Sequence, residues 1–158
     1  MQLRHVRLTD PVVAPLLADL AAEYERRYGP VDVMADADPE EFDAPTGAFV
    51  VLLDDGQAVA GGGIRRVDAD TCELKRVWTS PGHRRQGHAR TVLTALEGAA
   101  RDRGYTRVRL ETGPAQPEAV ALYQDLGYRQ IPLYGRYQAA VAFERRLGPI
   151  EHRSASDR

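Results

Sequence analysis

Residues 72–89, CELKRVWTSPGHRRQGHA, lead from a β-strand through a short polar loop into a helix, and this passage decides the fold. Thr71 to Thr79 reads as the strand. From Gly87 the apolar residues change to helical spacing, with Ala89, Val92, Leu93, Leu96 and Ala100 on one face until Arg103-Gly104 stops the helix. The loop between them sets Arg84, Arg85, Gly87 and a small residue, Ala89, at a helix N-terminus. Helix N-termini present unpaired backbone N–H groups with a partial positive charge, so the segment predicts an anion cradle. Gly87 lets the backbone approach a phosphate, Ala89 keeps the first turn free of bulk, and the arginines add donors. The patterns GxxxxGK[ST] and GxGxxG are both absent, which disfavours a nucleoside triphosphatase and a dinucleotide dehydrogenase. Taken alone, the loop reads equally well as an ordinary polar connection.

Its surroundings weigh against that. Upstream, the apolar runs Ala48 to Asp54 and Gln57 to Val67 flank Asp55-Gly56, a hairpin signal, and Asp68-Ala69-Asp70 turns the chain into the strand at Thr71. Three consecutive antiparallel strands result. Before them, QLRHVRL at 2–8 alternates as a half-buried strand with Leu3, Val6 and Leu8 as its apolar residues. Asp10-Pro11 then starts a helix carrying Val13, Leu16, Leu17, Leu20 and Tyr24, which Gly29-Pro30 ends. The acidic, proline-rich stretch 31–47 reads as a loop with a short helix from Pro39 to Phe42.

Downstream, Arg107 to Thr112 alternates again, and a helix runs from near Pro117 to Gly127 with Ala119, Leu122, Tyr123 and Leu126 on one face. Short strands at Arg129 to Ile131 and Val141 to Arg146 complete the set. The expected fold is α/β (α+β): one domain over 1–147, with a mixed, mostly antiparallel sheet of six to seven strands and about four helices. The strands before and after the central helix must be parallel, because a crossover helix joins them. The charged, serine-rich tail, 148–158, is expected to fray.

Composition narrows the function. The chain has 158 residues, enough for one domain with a real core, and its 21 basic and 23 acidic residues leave a net charge of -2. There is no global pull toward nucleic acid or a membrane, so any anion site must be local. A single cysteine, Cys72, excludes an internal disulfide framework and a multi-cysteine zinc site. The opening MQLRHVRLTD lacks the apolar stretch of a signal peptide, and a cytoplasmic location is expected. All basic residues except Lys75 are arginine.

Taken together, the order of elements, the 72–89 segment and LETGPAQPEAVALYQDLGY at 110–128 resemble the GNAT superfamily of N-acetyltransferases. That family's pyrophosphate loop reads (Arg/Gln)-x-x-Gly-x-(Gly/Ala), matched here by Arg84, Gly87 and Ala89, and the resemblance spans roughly Ala48 to Arg146. It implies a sheet splayed at its centre and acetyl-CoA as the acyl donor. Val77, Trp78 and Thr79 match the strand whose main chain pairs with the pantetheine arm. Arg84, Arg85, Gln86, Gly87, His88, Ala89 and Arg90 match the pyrophosphate loop and first helical turn, and Thr112 ends the strand across the splay. Tyr123 matches the tyrosine that protonates the departing CoA thiolate in many relatives. Glu73 lies eleven residues before Arg84, the spacing at which histone-acetylating members carry their general base. Many relatives have an Asn near the start of the last helix; this chain has Gln116-Pro117-Glu118, which puts that pantetheine contact in doubt.

The implied activity is acetyl transfer to a primary amine of a small molecule, by direct attack through a tetrahedral intermediate. Only the free amine attacks a thioester, so a carboxylate must take its proton directly or through water. Glu73 is the candidate base, with a structural ion pair as its equal alternative, and Glu111 is the runner-up. Strand alternation puts Glu73 on one face with Lys75 and Val77. Lys75 and Arg76 sit mid-strand where unpaired charge is costly, which suggests that they recognise a carboxylate on the acceptor. Tyr24, Tyr28, Tyr134, Arg136 and Tyr137 are candidate walls of the acceptor pocket, with ordinary packing as the alternative reading of each. Cys72 reads as a small buried apolar residue, and no metal site is expected. A CoA-binding sensor without catalysis, transfer to a protein lysine or peptide, and a homodimer through the C-terminal strands stay open.

Overall fold

The computed structural model describes residues 1–29, 38–113, 117–135 and 140–148. The elements run β1 (Gln2–His5), α1 (Ala14–Tyr28), β2 (Ala48–Asp54), β3 (Gln57–Arg66), β4 (Thr71–Thr79), α2 (His88–Asp102), β5 (Arg107–Thr112), α3 (Pro117–Asp125), β6 (Arg129–Ile131) and β7 (Val141–Arg146). Short 3-10 turns lie at Pro11–Val13, Pro39–Phe42 and Pro81–His83. The strands form one seven-stranded sheet in the order β1-β2-β3-β4-β5-β7-β6. Every pairing is antiparallel except β4 with β5, which α2 joins as a crossover.

Local chemistry explains most boundaries. Asp55 and Gly56 both take positive φ, 50° and 80°, as a two-residue hairpin turn of the right hand for a twisted sheet requires. Asp10 caps the first turn by accepting from Val12 N at 3.0 Å, but that turn is 3-10 and the α-helix proper begins at Ala14. The described residues therefore hold three α-helices, and the short helix expected at Pro39 to Phe42 is the second 3-10 turn. Leu3 is 38% exposed rather than inward, because β1 is an edge strand whose residues are all open to solvent.

The sheet separates two apolar layers. On one face Val50, Leu52, Ile64, Cys72, Leu74 and Leu110 pack with Val92, Leu93 and Leu96 of α2 and Tyr123 of α3. On the other, Phe49, Val51 and Leu53 meet Leu8, Val13 and Phe42, and Trp78 meets Leu16 and Leu20 of α1. Helices α2 and α3 thus cover one side and α1 the other. Each fully buried aliphatic side chain contributes about 1.5–3 kcal/mol relative to exposure, enough to hold both layers.

Candidate active site

The sheet opens at its centre. β4 pairs with β5 only where Thr71, Cys72 and Glu73 face Arg107, Val108 and Arg109. Asp70 O accepts from Thr106 N at 2.8 Å and Arg107 N at 3.1 Å, which clamps the closed end. From Leu74 and Leu110 onward the two strands keep only their outer partners, β3 and β7. Two unpaired strand edges therefore face one another across a widening gap.

A bulge in β4 shapes that gap. Gly63 pairs with Lys75 but Gly61 with Trp78, so Arg76 and Val77 together stand opposite Gly62. Arg76, within the bulge, takes φ 57°, a left-handed conformation rare for its type. The extra residue shifts the alternation by one. Val77 consequently packs with the Cys72 and Leu74 layer, not on the face of Glu73 and Lys75 as strict alternation predicts. Arg76 turns the other way and lies 5.2 Å over the Phe42 ring. The glycines opposite make this arrangement fit: a Cβ on Gly62 would meet Val77 Cγ2 at 3.0 Å, and one on Gly63 would meet Phe42 Cδ1 at 2.6 Å.

The segment that the sequence suggests as an anion cradle lies where β4 hands over to α2. Gly87 caps the helix at φ 80°, and the first helical hydrogen bond runs from Thr91 N to Gly87 O at 3.1 Å. The N–H groups of His88, Ala89 and Arg90 precede it and have no intrahelical acceptor. Space above Gly87 is open, with nothing within 4 Å of a notional Cβ. Arg85, at φ 63°, is exposed. Arg84 is committed elsewhere: it pairs with the buried Glu23 of α1 at 2.7 Å, donates to Thr79 O at 3.1 Å and lies 4.7 Å over the Trp78 ring. Trp78 Nε1 is buried without an acceptor. Gln86 Oε1 lies 3.1 Å from His88 Nε2, and Arg90 pairs with Asp125 of α3.

Tyr123 sits on the buried side of α3 against Tyr128 and Phe143, with ring centroids 5.6 and 6.4 Å away. Burial raises its pKa well above the usual 10, with a further contribution from the Tyr24 hydroxyl, so the phenol stays protonated. Tyr24 packs with Trp78 on the opposite face of the sheet. Thr112, at the far end of β5, is buried.

A row of charge crosses the face opposite α2. The register aligns Arg65 with Glu73, Glu73 with Arg109, Arg109 with Glu144, and Glu144 with Arg129. Glu73 is 5% exposed, and both oxygens are occupied: Oε1 accepts from Arg65 Nε at 2.9 Å, and Oε2 accepts from the Tyr134 hydroxyl at 2.8 Å. Burial and then the Glu73 carboxylate push the Tyr134 pKa upward, keeping that hydroxyl a donor. Glu111 accepts from Gly135 N at 2.7 Å, so both carboxylates hold down the segment after β6. Lys75 is half-buried and has partners of its own.

Cys72 is fully buried and its thiol is pushed up to about 12, chiefly by desolvation, so it offers no nucleophile. No cluster of three metal-ligating side chains and no helix long and apolar enough to cross a membrane occurs among the described residues. Arg136, Tyr137 and Gln116 lie outside the described residues, as does the tail from 149, and of Tyr28 only the backbone is described. Sequence reading did not single out Arg109, Arg65 or Glu23. Arg65 and Glu23 acquire their surroundings from elements distant in the chain, but Arg109 alternates with Val108 and Leu110 and was open to the same reasoning as Glu111.

A parallel strand pair that parts at its middle, with a bare helix N-terminus beside the opening, is the arrangement that the resemblance to N-acetyltransferases implies. The chain belongs to the acetyltransferase (GNAT) family, whose model matches residues 16–128. It is similar to the uncharacterized N-acetyltransferase YjgM of Escherichia coli K12, 31% identical over 137 residues and covering 82% of each chain. The structure is similar to that of a proposed acyl-CoA N-acyltransferase of Klebsiella pneumoniae, with a TM-score of 0.78 and 30% identity over 93% of this chain and 97% of that one. The fold also matches a GNAT acetyltransferase from Elizabethkingia anophelis solved with acetyl-CoA bound, with a TM-score of 0.64 and 14% identity over 92% and 97% of the two chains.

Proposed function

We propose that this protein transfers the acetyl group of acetyl-CoA to the primary amine of a small molecule. The observation that carries the reading is the gap between β4 and β5 with a helix N-terminus that lacks a side-chain cap beside it. Acetyl-CoA, when bound, supplies the activated thioester. The free N–H groups of His88, Ala89 and Arg90, with the Arg85 side chain, hold its pyrophosphate. The unpaired edge of β4 from Val77 to Thr79 accepts the pantetheine arm as a sheet accepts a strand. Arg84 keeps the loop in place by tying it to α1 rather than by touching phosphate.

Tyr123 delivers its proton to the departing thiolate. Glu73 receives the proton of the amine through water, because Arg65 and Tyr134 already hold its oxygens in fixed positions. The enzyme's share of the chemistry is position and proton transfer.

The test is release of free CoA thiol from acetyl-CoA in the presence of amino acids, polyamines, aminoglycosides and peptides. Tyr123→Phe should lower kcat about 100-fold or more while CoA affinity is retained, since a positioned acid contributes about 10²–10⁴. A Tyr123→Phe enzyme with undiminished kcat would remove Tyr123 from the chemistry. CoA binding without turnover of any amine would favour a sensor.

A further inference from the structure

We infer that the acceptor amine carries a carboxylate, and that Arg109 is the residue that holds it; this rests on the acetyl-transfer reading above. Arg109 stands in register between two carboxylates, Glu73 on β4 and Glu144 on β7. Neither is turned toward it. Glu73 is taken by Arg65 and Tyr134, and Glu144 faces Arg107 Nε at 3.6 Å. Among the described residues no carboxylate is in ion-pair contact with Arg109, and its Nε is buried without an acceptor. Part of the hydrogen-bonding capacity of this half-buried guanidinium is therefore unmet within the protein, and a ligand acceptor can meet it.

The surroundings also fix which acceptor fits. The guanidinium lies 3.8 Å from the Tyr134 ring centroid, and Tyr134 is anchored by its hydroxyl to Glu73. A guanidinium held by its face keeps its N–H edge available in plane, and that fork matches a planar carboxylate. A phosphate dianion would bring a second negative charge close to Glu73 and Glu144, so a monoanion is favoured. Arg109 is the last β5 residue paired with β4 and therefore marks the closed end of the gap. A carboxylate seated there leaves the rest of a small molecule to extend along the opening. Of the cations expected for this role from the sequence, Lys75 has partners of its own, and Arg76, whose Nε is likewise buried without an acceptor, makes other contacts and lies over Phe42.

The experiment compares amino acids with their own carboxamides as acceptors, with rates corrected for the fraction of free amine at the assay pH. Wild-type kcat/KM should favour the acids. Arg109→Gln should lower kcat/KM for the acids about 10–100-fold more than for the amides, mainly through KM. Arg109→Lys, which keeps the charge of the row but loses the fork, should fall between and guards against a folding defect. A purely structural Arg109 would depress both acceptor classes alike. Equal use of acids and amides by the wild type, or an acid-to-amide ratio unmoved by Arg109→Gln, would overturn the inference while leaving acetyl transfer intact. No transfer to either class, with CoA still bound, would instead overturn the reading on which it rests.

Discussion

Glu23 shows how one residue couples two parts of the site. It lies buried on α1 between Arg27 at 2.7 Å and Arg84 at 2.7 Å. Burial alone would raise its pKa, but the hydrogen bond and charge of Arg84, with those of Arg27, outweigh it and hold the carboxyl below the usual 4.5. A carboxylate depressed on folding stabilises the native state above its unfolded pKa, and that contribution is lost as pH falls through the lowered value. Glu23→Gln should therefore cost about 1–2 kcal/mol at neutral pH, modest because the Arg84 side chain is 39% exposed. The gap between wild type and variant should shrink below about pH 4 in urea unfolding curves. A gap that persisted there would mean that the ion pair is not its source. None of this was visible in the sequence, where Arg84 read as a phosphate donor: its partner lies 61 residues away.

At the scale of elements, β3 and β4 depend on the three glycines opposite the bulge. Gly63→Ala would force a methyl group against Phe42 and Phe49, at 2.6 and 2.7 Å from their rings. Overpacking of this kind costs about 1–3 kcal/mol, which a lowered urea midpoint with an unchanged slope would register. An undiminished midpoint would show that the aromatic pair can move aside. The strands and helices themselves were legible, because hairpin turns, caps and apolar periods are local properties of the chain. The bulge was legible only in part: Cys72 and Leu74 alternate with Glu73 and Lys75, but Arg76 stands where the next apolar residue was due and Val77 follows one place late, a break whose meaning only the pairing with β3 supplies. Gly61-Gly62-Gly63 was another available sign, as glycines inside a strand often mark a bulge or a close approach.

For the whole molecule, the gap makes ligand and stability interdependent. CoA at about 100 times its Kd should stabilise the fold by about 2.7 kcal/mol. Hydrogen exchange should show new protection over residues 77–79 and 88–90 and none in β1, the far edge of the sheet. Stabilisation with protection elsewhere would place the cofactor outside the gap. The helix N-terminus proposed as an anion cradle could be located in advance because its parts are consecutive in the chain. The charge row could not, because it joins strands that only the folded topology brings together.

The opening between β4 and β5 also bears on how the protein behaves in company. A strand edge with unpaired amides and carbonyls is a template on which other chains can add, and proteins ordinarily blunt such edges at their periphery. Here two of them lie in the interior of the sheet, between layers that carry α1 on one side and α3 on the other. A foreign polypeptide strand, with side chains on both faces, would have to displace those layers to enter. A thin, flexible chain with amide groups of its own meets no such obstacle. The opening proposed to admit a cofactor is thus shielded from the self-association that the same exposed backbone would invite at the rim.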